Sequence, residues 1–323
     1  MIRTRLTDRF ELEHPIVSAP MAFAAGGRLA AAVTHAGGLG LIGGGYGDPE
    51  WLRRAFQDAG NARVGAGLIT WKLADQPEVL DLVLDRKPAT LFLSFGDPAP
   101  FASRIAEAGV PLICQVQTLR DAKHAVQVGA QVIVAQGAEA GGHGAKRATF
   151  TIVPEVADWL AGHAPDVLLL AAGGVADGRG LAAALMLGAD GVLVGSRLWA
   201  SAEAEVSEAM TDAAIAATGD HTIRSTVMDR ARHLDWPERY TARVLRNAFT
   251  NRWHDDLQGL MTHAEAEAAK WKDGWMAGDP ARANTFVGEA AGLIHDRPEA
   301  AEIVHRMSAE AEALLSGAGR LVR

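Results

Sequence analysis

The sequence predicts an α/β fold, a (β/α)8 barrel carrying a C-terminal helical cap, on three observations. Eight short Val/Ile/Leu-rich runs recur along the first two thirds of the 323 residues, stretches with helical periodicity separate them, and the strand signal stops near residue 197. Continuous apolar runs of this kind mark strands buried on both faces, as in a parallel sheet with helical crossovers. The runs are PIVSAP (15–20), LGLIG (39–43), RVGAGLI (63–69), TLFLSF (90–95), PLICQV (111–116), QVIVAQG (131–137), VLLLAAGG (167–174) and GVLVGS (191–196). Their starts lie roughly 20 to 35 residues apart, the length of one strand, one helix and two loops.

The segments between them, such as GRLAAAVTHAGG, PEWLRRAFQDAGN and DGRGLAAALMLGAD, read as helices; several start near Asp, Thr or Pro and close on Gly. Eight such units favour a closed barrel over an open sheet. The expected division is a barrel over 1–200 and a mostly helical cap over 201–323. The second part is Ala/Glu/Arg-rich and holds Trp236, Trp253, Trp271 and Trp275. These aromatics either line a pocket, hold the cap helices together or form a dimer face, so a homodimer stays open.

Composition narrows the function. With 49% hydrophobic and 22% charged residues, the chain is globular rather than disordered. A net charge of -8 offers no basic field for a phosphate backbone or an acidic membrane, so neither nucleic acid nor membrane is an expected partner. The single cysteine, Cys114, lies inside an apolar run and reads as an inert, buried thiol. No Cys/His cluster has metal-ligand spacing, and no metal is expected. The N-terminal stretch MIRTRLTDRFELEHP lacks a signal-peptide core, and cytoplasm is the expected location.

In such a barrel, chemistry collects where the strands end at their carboxyl termini. The seventh and eighth runs end in Gly173-Gly174-Val175 and Gly195-Ser196-Arg197, each before a helix. Glycines there let backbone N–H groups approach an anion, and helix dipoles add to the attraction, which predicts a phosphate site. After the sixth run comes Gln136-Gly137-Ala138-Glu139-Ala140-Gly141-Gly142-His143-Gly144. A glycine-flanked histidine on a mouth loop suits a general base with an ordinary pKa near about 6.5, and its glycines would admit a flat ring.

Other matches are decoys. Gly38-x-Gly40-x-x-Gly43 fits the dinucleotide fingerprint by letter, but a helix-like segment precedes it and the strand lies within it, the reverse of the required order. Walker, GxSxG and HExxH motifs are absent from the sequence, which argues against the chemistries they serve.

Three segments together resemble the nitronate monooxygenase family, formerly 2-nitropropane dioxygenases: PIVSAPMAFAAGGRLAAAVTHAGGLGLIGGG (15–45), AQGAEAGGHG (135–144) and LLLAAGGVADGRGLAAALMLGADGVLVGSR (168–197). GAGLITW (65–71) looks most like the fungal-type branch. The resemblance implies a TIM barrel with an extra domain and FMN as cofactor. It implies that Ala19, Pro20 and Met21 pack against the flavin ring, that Gly67, Gln115 and Gln136 contact the flavin, and that Gly141 and Gly142 lie beside the ring. Gly173, Gly174, Gly195 and Ser196 match the phosphate cradle, with serine where threonine is often expected, and His143 matches the catalytic base.

The implied reaction takes alkyl nitronates or nitroalkanes and O2 to carbonyl compounds and nitrite. The rival retains barrel and FMN but uses NAD(P)H as donor, as in enoyl-acyl-carrier-protein reductases or NADH:quinone reductases. A third reading is a flavin- or phosphate-binding scaffold without turnover. Whether Trp71, Phe95 or Trp236 lines the pocket is open from sequence.

Overall fold

The computed structural model describes residues 1–322. All eight predicted runs form strands of one parallel barrel: β1 (Ile16–Ser18), β2 (Leu41–Gly45), β3 (Gly65–Ile69), β4 (Leu91–Ser94), β5 (Leu112–Val116), β6 (Val132–Gln136), β8 (Leu168–Ala172) and β9 (Gly191–Val194). The hydrogen-bonded order is β1-β9-β8-β6-β5-β4-β3-β2. Closure between β1 and β2 rests on a single bridge, Val17 to Leu39. The buried Ser18 hydroxyl extends it by accepting from the Leu41 amide at 2.9 Å.

Successive side chains of a strand point to opposite faces, and here both faces are dry. Val17, Leu41, Phe92, Ile113, Val132, Val134, Leu168, Leu170 and Leu193 fill the interior, and Leu6 and Phe10 join them. The helix Arg5–Phe10 therefore closes the amino-terminal end of the barrel, its start fixed by a Thr4 capping box. Leu91, Leu93, Leu112, Cys114, Ile133, Leu169 and Val192 instead pack outward beneath the helices. This double burial is why the runs are apolar without alternation.

Beyond residue 200 the chain is not free of strands, which corrects the expectation that strand signal ends at 197. β10 (Thr222–Ser225) and β11 (Thr241–Leu245) pair antiparallel, and β11 also pairs with β7 (Gly142–Gly144), the glycine-histidine segment after β6. The remaining cap helices close on a separate core that includes Val227, Met228, Val244, Phe249, Trp253 and Leu260. The last helix, Ala300–Gly317, leaves the cap and packs on the barrel helices Gly178–Met186 and Gly27–His35. Ile303, Val304, Met307 and Ala311 are buried there. Among the described residues no helix is long and apolar enough to cross a membrane.

The glycine decoy has a packing explanation. A Cβ on Gly40 would lie 1.8 Å from the Ala30 carbonyl oxygen, and one on Gly43 would lie 2.2 Å from the Met21 carbonyl oxygen. These positions let β2 lie directly against the helix Gly27–His35 and the chain after β1. Gly40→Ala is expected to cost about 3 kcal/mol through overpacking. Gly162→Ala, in an exposed helical turn with nothing within 4 Å, should be neutral or slightly stabilising. Urea unfolding of the two variants checks the contrast, and equal midpoints would remove the packing argument.

Candidate active site

The carboxyl ends of the barrel strands and the inner face of the cap enclose a cavity of about 440 Å³. Each of the thirteen residues singled out from sequence lines it: Ala19, Pro20 and Met21 after β1, Gly67 in β3, Gln115 in β5, Gln136 in β6, Gly141, Gly142 and His143 at β7, Gly173 and Gly174 after β8, and Gly195 and Ser196 after β9. Side chains that sequence reasoning left open or missed complete the wall. Phe95 and Trp236 line the cavity, as do Tyr46, Arg232, Trp275 and Asn284. Trp71 is not part of this wall but packs edge-on against Trp236, with ring centroids 5.4 Å apart.

The glycine turns after β8 and β9 fit an anion, though not quite as expected. Gly173 and Gly174 have φ of 101° and 79°, a left-handed backbone that favours glycine. Among the described residues, the amides of Gly173, Gly174 and Gly195 donate to no backbone carbonyl. A Cβ on Gly195 would find nothing nearer than Ala19 Cβ at 3.7 Å, so the space above this turn is open. The helix dipole, however, is already answered. Glu310 accepts from the Gly178 amide at 2.7 Å, and Asp177 accepts from the Arg179 and Gly180 amides at 2.9 and 3.2 Å. The loop amides, rather than the helix Gly178–Met186, are the donors left for a ligand. The Ser196 hydroxyl accepts from the Gly288 amide at 2.9 Å, which leaves its own proton to donate.

His143 also departs from its sequence reading as a loosely packed loop residue with an ordinary pKa. It is 8% exposed and sits in β7, paired with Ala242 of β11. Its ring stacks on Trp236 with centroids 3.4 Å apart and planes 5° apart. Its Nε2 lies 2.9 Å from Oδ2 of the buried Asp229. Burial holds the imidazole pKa below its ordinary value; the Asp229 hydrogen bond and charge oppose that shift, and Arg232 and Arg224 add to it. Gln136 has both ends of its amide engaged, accepting from Gln117 Nε2 at 2.8 Å and donating to the His143 carbonyl at 3.1 Å. Its primary service is thus to hold β7, while Gln115 forms no side-chain hydrogen bond among the described residues.

Two arginines hold the loop that leads to His143. Arg224 and Arg243 both donate through Nε to the Ala138 carbonyl at 3.1 Å. Burial, with Arg243 nearby, pushes the Arg224 pKa down to about 10, so it remains a cation at neutral pH. Trp236 is fixed in turn by donating from Nε1 to the Tyr46 hydroxyl at 3.1 Å. Phe95 holds φ of 62°, uncommon for a bulky residue and typical of strain kept at a site. Cys114, by contrast, is inert as expected: burial pushes its thiol up to about 12.

A barrel mouth with a buried imidazole, an amide-lined turn and an aromatic roof around one cavity defines the class as a (β/α)8 barrel with an enclosed small-molecule site. The family profile described as nitronate monooxygenase matches residues 3–62 and 65–310, and the chain belongs to that family. It is 35% identical to the nitronate monooxygenase of Neurospora crassa, covering 92% of this chain and 89% of that one. It is also 35% identical to the nitronate monooxygenase npaC of Metarhizium robertsii, over 93% of this chain and 92% of that one. Among solved structures, FabK from Thermotoga maritima superposes with a TM-score of 0.88 at 30% identity, covering 100% of both chains.

A histidine that folding makes harder to protonate sets a sign for pH dependence. Its contribution to stability is complete above the unfolded imidazole pKa of about 6.5 and is lost as pH falls below it, because the unfolded chain then binds the extra proton. An NMR titration of His143 should give a midpoint below that of an exposed imidazole. A midpoint at or above about 6.5 would mean that the ring is not desolvated as described.

Proposed function

We propose that the protein is an FMN-dependent nitronate monooxygenase that converts alkyl nitronates, or their parent nitroalkanes, with O2 into carbonyl compounds and nitrite. The observation that carries the reading is the convergence of His143 and the unpaired Gly173, Gly174 and Gly195 amides on one cavity. The amides suit the flavin phosphate. Gly67, Gly141, Gly142 and the Ala19-Pro20-Met21 turn suit its flat ring, and Gln115 and Ser196 offer polar contacts. When bound, FMN supplies the electron transfer between substrate carbon and oxygen. The overall balance is two nitronate anions and one O2 giving two carbonyl compounds and two nitrite ions.

The protein's own part is proton transfer and electrostatics. Nδ1 of His143 makes no hydrogen bond within the described residues and is the nitrogen that takes the α-proton of a neutral nitroalkane. Arg232, which also lines the cavity and forms no salt bridge among the described residues, favours the resulting anion. Tyr46, Phe95, Trp236 and Trp275 keep water from the reacting carbon. The reading extends to a cytoplasmic location, supported by a single buried thiol.

A second reading, NAD(P)H as electron donor, is favoured by the likeness to FabK at 30% identity over the full chain. Anaerobic mixing separates the two. Bleaching of the yellow protein by ethylnitronate alone supports the proposal, whereas fast bleaching only by NAD(P)H supports the rival. A colourless protein that takes up no added FMN would defeat both.

Two variants test the parts. Gly195→Asp puts a carboxylate above the amide turn and should weaken FMN binding on the order of 100-fold with an unchanged Tm. His143→Ala should lower kcat/KM for neutral nitroethane on the order of 100-fold or more while leaving preformed ethylnitronate within about 10-fold. Equal losses on the two substrates would remove the proton-abstraction role.

A further inference from the structure

We infer that Asp229 is the positioning residue of His143: its carboxylate accepts the Nε2–H across the barrel–cap boundary, fixing the tautomer that presents Nδ1 to the cavity. The inference rests on the reading of His143 as the base.

The geometry is specific. Asp229 is 2% exposed, lies on the short cap helix Val227–Ala231, and places Oδ2 2.9 Å from Nε2. Its other oxygen, Oδ1, is buried with no hydrogen-bond partner among the described residues, and no Lys or Arg among them forms a salt bridge to Asp229. A buried carboxylate is costly unless it is paired, and among the described residues the imidazole N–H is the only side-chain donor that this one has. A neutral imidazole carries one N–H, so a carboxylate at Nε2 selects the form with the lone pair on Nδ1. Trp236 fixes the ring plane, and the Asp229 carbonyl accepts from the Leu234 amide at 2.9 Å, anchoring the turn that leads to Trp236. Orientation and tautomer are therefore set by one cap segment, residues 229–236, while the barrel supplies the chain that carries the ring.

The charged groups around the ring are few. Asp229 and Arg232 face it from the end of the cap helix and Arg224 from β10. The barrel side presents Phe95 and the Gln136 amide, and burial raises the pKa of both Tyr46 and Tyr240, keeping them neutral. Asp229 is thus the only group of this set whose charge favours the protonated ring. Removing that charge moves the imidazole pKa down, so the base form persists to lower pH while its orientation is lost.

The test uses the full-length protein with its flavin and the variants Asp229→Asn and Asp229→Glu. Nitrogen-15 NMR of the histidines should show His143 with its proton on Nε2 in the wild type and a mixture of tautomers in Asp229→Asn. In turnover, Asp229→Asn should lose about 30-fold in kcat/KM for nitroethane and less than about 3-fold for ethylnitronate. Its rising pH limb should shift to lower pH, and Asp229→Glu should recover part of the loss. A wild-type ring protonated on Nδ1 overturns the inference, as does an Asn variant that loses both substrates together with its flavin, the mark of a purely structural tie. If the wild type oxidises no nitronate, the functional reading fails, and the tautomer measurement still decides the role of Asp229.

Discussion

The site depends on the pairing of three residues, Gly142, His143 and Gly144, with β11 of the cap. These residues leave the barrel after β6, and without the cap strand the Gln136 amide on the His143 carbonyl would be the barrel's one tie to their backbone among the hydrogen bonds described above. The pairing fixes the backbone of His143, and the period of a strand then decides to which side its ring points. Arg224 and Arg243 reinforce the connection by saturating the Ala138 carbonyl. A mouth loop of a barrel has in this way become the edge of a second sheet. Its position is exchanged from loop flexibility to sheet register, where a slip of one residue would turn the imidazole away from the mouth.

The legible and illegible parts of this architecture divide along sequence separation. The eight barrel strands were readable because residues such as Leu168–Ala172 are buried on both faces, which leaves an unbroken apolar run. The cavity lining was readable because glycines at strand ends have a local reason to be there, and the matching segments carry the family likeness. β10 and β11 were not readable. TIRS and TARVL are short, and Arg224 and Arg243, which face the 138–140 loop, break their apolar pattern. The partners of His143 were hidden for the same kind of reason. Asp229 lies 86 residues further along the chain, and Trp236 looked no different from the other tail tryptophans. Flanking glycines suggested an open surroundings; the packing is supplied from across the sheet, which local sequence does not display.

The electrostatics follow a similar pattern. The chain is acidic overall, with a net charge of -8, yet the side chains that approach the loop and ring from the cap include three arginines, Arg224, Arg232 and Arg243. Mean charge describes the outer surface, while the local field at the mouth is set by a few residues in a buried space, where each charge counts for more than in water. The same interior makes a neutral imidazole the stable form and leaves the neighbouring tyrosines un-ionised. Base strength and field are therefore both products of the covering segment.

The return of Ala300–Gly317 to the barrel has a consequence for how the molecule is made. The helix Gly178–Met186 is covered by the helix Ala300–Gly317, with Gly178 lying against Met307 and Ala311. During synthesis all eight barrel strands, the last ending at Val194, are made well before residues 300–317, so the nascent protein carries an uncovered greasy seam until that helix follows. The barrel wall is thus completed by a segment made about 100 residues after its last strand, and a chain truncated before residue 300 would display that seam permanently to chaperones and proteases.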